Sequence, residues 1–151
     1  MKRHHPFVVA TAFILCTASA FAQKKPDFSG RWVAVSPADA AGEEQIVKQD
    51  SATLTISHGA EGPAHVFTYD LSGKETRLTM PSHGHEIVTH ATAAWDGDRL
   101  VIAQKSTYPD GRELNQKLIL SLDAHGQLVV EVTETMTGRP TETRKVICKR
   151  K

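Results

Sequence analysis

Between Glu86 and Val132, apolar and polar residues alternate in three runs, and turn-forming residues separate each run from the next. Alternation at period two sends successive side chains to opposite faces, so each run reads as a strand with one buried face. After Trp95, a two-residue loop at Gly97-Asp98 pairs Trp95 with Leu100, Ala93 with Ile102, Ala91 with Gln104 and Thr89 with Ser106. Pro109-Asp110-Gly111 suits a type I turn closed by a left-handed glycine. It sets Leu114 against Ser106, Gln116 against Gln104, Leu118 against Ile102 and Leu120 against Leu100. Asp123 before Ala124-His125-Gly126 repeats that loop, and opposes Leu122 to Leu128, Leu120 to Val130, Leu118 to Val132 and Gln116 to Glu134. All three turns predict the same buried face, made of Trp95, Leu100, Ile102, Leu118, Leu120, Val130 and Val132. A slip of one residue in any hairpin would turn its apolar set to solvent, so their agreement fixes the register.

The flanking sequence extends the pattern. Phe28 to Ser36 alternates around Trp32 and predicts a first strand; Pro37 to Glu44 is Ala-rich and reads as one helical turn or a loop. Ile46–Lys48, Thr53–His58 and His65–Tyr69 are further strand runs, and a loop over 59–64 sets His58 opposite His65 and Ile56 opposite Phe67. Ser72-Gly73 predicts another hairpin, pairing Tyr69 with Thr76, Phe67 with Leu78 and His65 with Met80. Thr137 to Pro140 leads to a last strand over Thr141–Lys149. About nine strands joined by short turns, with no long helical period, predict an all-β fold. The expected form is an antiparallel up-and-down meander closing into a barrel of eight to ten strands, since closure removes unpaired edges.

The N-terminus changes the picture of where the protein works. Met1 to His5 is basic, Phe7 to Ala18 is apolar and small, and Ala20-Phe21-Ala22 fits the small-x-small cleavage rule. Residues 1–22 therefore read as a signal peptide, leaving residues 23–151 as a single domain, secreted or periplasmic. The apolar run is too short for a membrane span, so no transmembrane segment is expected in the mature chain. The whole chain has 18 basic and 17 acidic residues; losing Lys2 and Arg3 leaves 16 against 17, a formal net of −1. With no basic stripe, nucleic acid is not an expected partner. Cys16 leaves with the leader, so Cys148 has no internal partner and is expected as a buried core thiol.

The predicted registers carry a polar row across the apolar face: Gln104 beside Gln116, Gln116 beside Glu134. With a loop at 137–139 the last strand opposes Glu142 to Glu134 and Arg144 to Val132. Buried amides and charges need partners; the row is either an internal hydrogen-bonded network or the polar wall of a ligand cavity. Gln104, Gln116, Glu134 and Arg144, with His58 and His65, are the candidate ligand-binding residues.

Two histidines fall short of the three or four ligands a zinc site needs. His85 and His90 are five apart, about 140° on a helix, unlike the one-face spacing of a zinc protease. Asp96 and Asp98 flank a turn glycine without the further oxygens of a calcium loop. Glu131 and Glu134 point to opposite strand faces, and no nucleophile elbow or phosphate loop is present. No metal, cofactor or catalytic set is assigned.

Gly30-Arg31-Trp32, opening the first strand, resembles the G-x-W signature of the lipocalin and avidin group, the calycins, and the chain is similar to small secreted bacterial barrels of this kind. The resemblance implies that Gly30 and Trp32 close one barrel end and that a late basic residue, Arg144 or Arg150, packs across the Trp. The expected function is an exported carrier holding a small amphipathic or apolar molecule in the barrel mouth. The alternative is a non-enzymatic envelope module with a filled barrel that binds protein or glycan. A carrier requires a cavity of at least ~300 Å³.

Overall fold

The computed structural model describes residues 24–59, 65–82 and 84–151; the leader reading of residues 1–22 lies outside them. Ten strands follow one another: β1 Gly30–Ser36, β2 Glu44–Gln49, β3 Thr53–His58, β4 His65–Asp70, β5 Thr76–Ser82, β6 His85–Asp96, β7 Arg99–Thr107, β8 Glu113–Leu122, β9 Leu128–Met136 and β10 Glu142–Arg150. They form one antiparallel sheet in the order β4-β3-β2-β1-β10-β9-β8-β7-β6-β5, a meander whose first and last strands meet across β1–β10. Among the described residues there is no helix; Pro37 to Gly42 forms turns.

Every register expected for β6 through β10 is present. Trp95 pairs with Leu100 and Ala91 with Gln104, Gln104 with Gln116 and Leu100 with Leu120, Gln116 with Glu134, and Val132 with Arg144. Turn chemistry explains this, since Gly97 sits at φ +63°, a conformation costly for other residues. Asp123 Oδ1 accepts the backbone N–H groups of His125 and Gln127 and holds the next loop. Leu100, Ile102, Leu120 and Val132 are buried as expected; Trp95, Leu118 and Val130 are half-buried against them.

One expected hairpin is absent. β4 and β5 touch but share no ladder, and they stand at opposite ends of the sheet order, so Tyr69, Phe67 and His65 do not pair with Thr76, Leu78 and Met80. Local competition explains the break. The Leu71 side chain is buried, its N–H donates to the Ala52 carbonyl at 2.8 Å, and Asp70 Oδ1 accepts from Ser72 N at 2.7 Å. Asp70 N then donates to the Thr76 hydroxyl at 3.3 Å instead of to a ladder carbonyl. The barrel is therefore nearly closed, with a seam between β4 and β5.

One end is sealed by aromatic packing. Trp32 is fully buried and its Nε1 donates to the Phe28 carbonyl at 2.8 Å, while the Phe28 ring stacks on Trp95 at 5.8 Å. The Arg150 guanidinium lies 4.6 Å from the Trp32 ring and donates to the Ser29 carbonyl at 2.8 Å. Of the two arginines considered for this place, Arg150 holds it, because Trp32 and Arg150 are register partners. A Cβ on Gly30, which sits at φ +147°, would stand 3.0 Å from Arg150 Nη1, so the glycine gives the guanidinium room to close over the Trp.

Candidate functional site

Above that sealed end the barrel encloses a cavity of about 250 Å³. Its apolar surface comes from both walls: Val47 and Ile56 on β2 and β3, Leu120, Val130 and Val132 on β8 and β9. Such a lining follows from alternation, each residue standing two positions from the next inward one on its strand. The volume falls somewhat below the ~300 Å³ set as the lower bound for a drug-sized ligand. It fits a compact molecule, or the tail of one whose head stays at the mouth.

The expected polar row is intact and gains a member. Tyr69 Oη donates to Gln104 Oε1 at 3.2 Å, Gln104 Nε2 donates to Gln116 Oε1 at 2.6 Å, and Gln116 Nε2 donates to Glu134 Oε2 at 2.9 Å. The chain crosses the barrel from β4 to β7 and then runs round the wall to β9. Ala91, the register partner of Gln104, is a small buried side chain. Burial pushes the Tyr69 phenol far above its ordinary range, so it stays protonated and donates.

The remaining candidates separate. His58 and Arg144 line the cavity with Gln104 and Gln116. Arg144 is exposed at the rim, and among the described residues no carboxylate forms an ion pair with it. Glu134 reaches the site only through Gln116 and is not part of the cavity wall. His65 pairs with His58 in register, but it is exposed and does not line the cavity. Gly30 and Trp32 belong to the sealed end. His58 sits at the rim with its ring edge-on to Phe67 at 6.0 Å; desolvation lowers its pKa, helped by the neighbouring His65 and opposed by Glu43. Among the described residues no three of His, Cys, Asp and Glu converge on a point.

Sequence reasoning missed several lining residues, among them Glu43 and Glu44 at the start of β2. Tyr69 stands opposite Leu54 on the inward face, so the β3–β4 register carries a signal for it. Gln45 on β2 and Cys148 on β10 meet over the intervening β1, Gln45 Nε2 lying 3.8 Å from the thiol. Cys148 is buried as expected, and desolvation raises its pKa. Ala40 enters from the β1–β2 loop, where no period exists to read.

No family model matches the sequence, and no curated protein matches it. Solved structures do share its shape. Human cRBP IV superposes with a TM-score of 0.53 at 16% identity, over 83% of this chain and 99% of that one. A variant of the fluorescent protein UnaG superposes with a TM-score of 0.53 at 21% identity, over 82% of this chain and 96% of that one. At these identities the likeness speaks for the fold, and with the ten-stranded meander, the inward alternation and the Trp32–Arg150 closure it makes this chain a lipocalin-like β-barrel.

Proposed function

We propose that this protein reversibly binds a small amphipathic or apolar molecule in its barrel, with the apolar part inside and a polar part toward the mouth, and without covalent chemistry. One observation carries the reading. A cavity of about 250 Å³ combines an apolar floor with the Tyr69–Gln104–Gln116 chain and with charged side chains, Arg144 and the carboxylates Glu43 and Glu44, Arg144 having no ion-pair partner among the described residues. Pockets with few convergent polar groups in an apolar lining are the usual form of small-molecule sites. The shape shared with cRBP IV, a protein whose name denotes retinol binding, supports the same reading.

Export is part of the proposal, and the basic leader, the apolar run and Ala20-Phe21-Ala22 support it: the mature chain would work in the periplasm or the medium. Among the described residues no helix is long and apolar enough to cross a membrane. The competing reading, an envelope module that binds protein or glycan through its outer face, calls for a filled barrel, and the hollow counts against it.

Native mass spectrometry of protein purified without denaturation from its own cells tests the proposal. A mature chain that starts near Gln23 and carries a small molecule, released on unfolding, is the expected result. A chain that is always empty, and that no apolar compound loads, would overturn it.

A further inference from the structure

The hydrogen-bond chain has a direction, and chemistry fixes that direction from one end. An ionised carboxylate only accepts, so Gln116 must turn its Nε2 toward Glu134. Its Oε1 then faces Gln104, which must answer with Nε2, and the Gln104 carbonyl is left facing Tyr69, which must donate. With its only proton committed, Tyr69 Oη shows lone pairs alone to the cavity it lines, and no described residue donates to it. Each glutamine nitrogen in the chain keeps a second N–H.

We infer that Tyr69 Oη is the atom by which the cavity selects a ligand with a hydroxyl group, and that Glu134, which does not line the cavity, is the positioning residue that makes it an acceptor. This rests on the binding role proposed above and narrows its substrate class. A hydroxyl donates to Tyr69 Oη while accepting the second N–H of Gln104 or Gln116. An ether or an aldehyde only accepts, leaving Tyr69 Oη unmatched. A carboxylate likewise only accepts, and leaves Tyr69 Oη unmatched. Were Glu134 replaced by a group that also donates, both amides could turn round and Tyr69 would be free to give its proton to an acceptor-only ligand.

The test uses residues 23–151 and a matched pair of probes, n-octanol and methyl octyl ether, each competing with a fluorescent apolar dye. The wild-type protein should prefer the alcohol by about fivefold, the size of one net hydrogen bond. Glu134→Gln, which keeps shape and removes the acceptor-only terminus, should lower that ratio, and Tyr69→Phe should bring it to about one. Because a purely structural loss would weaken both probes together, the ratio rather than either affinity is the readout. In the wild type, the side-chain amide resonances of Gln104 and Gln116 should move with the alcohol and not with the ether, a measurement that does not depend on either variant folding. Equal wild-type affinities, or a ratio that neither substitution changes, would overturn the inference while the binding role stands. Failure of both probes to displace the dye would overturn the binding role and the inference with it.

Discussion

Gln116→Leu removes the middle of the polar chain while nearly preserving side-chain shape. Two hydrogen bonds go, from Gln104 Nε2 at 2.6 Å and to Glu134 Oε2 at 2.9 Å. Each partner left unpaired costs on the order of 1–3 kcal/mol when buried. Gln104, Gln116 and Glu134 are only half-buried, so water recovers part of that cost and the lower end of the range applies. The leucine adds back apolar burial of about 1 kcal/mol, roughly half of what full burial yields. With about 1 kcal/mol for each of the two partners, the net expectation is a loss of about 1 kcal/mol. In urea that is a midpoint lowered by roughly 0.5–1 M for a chain of this size. Emission from Trp32 and Trp95, the only two tryptophans, follows the transition. Loading with any small molecule carried by the wild type should also be abolished. A variant as stable as the wild type, or more so, would mean that the row is not a closed network, and unchanged loading would remove Gln116 from the site.

Other outcomes follow from single contacts. Gly30→Ala places a side chain at φ +147° and 3.0 Å from Arg150 Nη1, and should cost about 1–3 kcal/mol in chemical denaturation; an unperturbed midpoint would contradict the role given to Gly30. His58, its pKa lowered chiefly by desolvation, takes up a proton more readily when unfolded. Its contribution to stability is therefore complete above the ordinary histidine pKa of about 6.5 and lost as pH falls below it, so part of the drop in Tm on acidification should vanish in His58→Gln. An identical pH profile in the variant would refute this. In Tyr108→Phe, which leaves Tyr69 as the only phenol, absorbance should show no ionisation at a pH where free tyrosine titrates, about 10. Cys148, buried and raised in pKa, should react with a thiol reagent slowly in the native mature chain and quickly in denaturant.

The half of the barrel from β6 to β10 is legible in the sequence because three turns of definite chemistry lock registers that alternation alone leaves free. Ser72-Gly73 shows the limit. It has the composition of a hairpin turn, yet the local Asp70–Ser72 and Asp70–Thr76 bonds redirect the chain, and the burial of Leu71 with its N–H on the Ala52 carbonyl is a long-range gain that no local window shows. The same holds for the site. Gln104, Gln116 and Glu134 stand on adjacent strands, so register alone unites them. Tyr69, Gln45 and Cys148 join only when the sheet curls and β1 meets β10. His65 shows the converse: register puts it beside His58, yet its side chain is exposed and does not line the cavity.

Filling the cavity tests its use most directly. Leu118 lines it, is half-buried, and lies in the best-defined part of the ladder. The wild-type mature chain should bind an environment-sensitive apolar dye saturably at one site per chain. Leu118→Trp, with its far-UV circular dichroism and Tm close to wild type, should lose that binding. Undiminished binding by the folded variant would contradict the claim that the barrel interior holds the ligand.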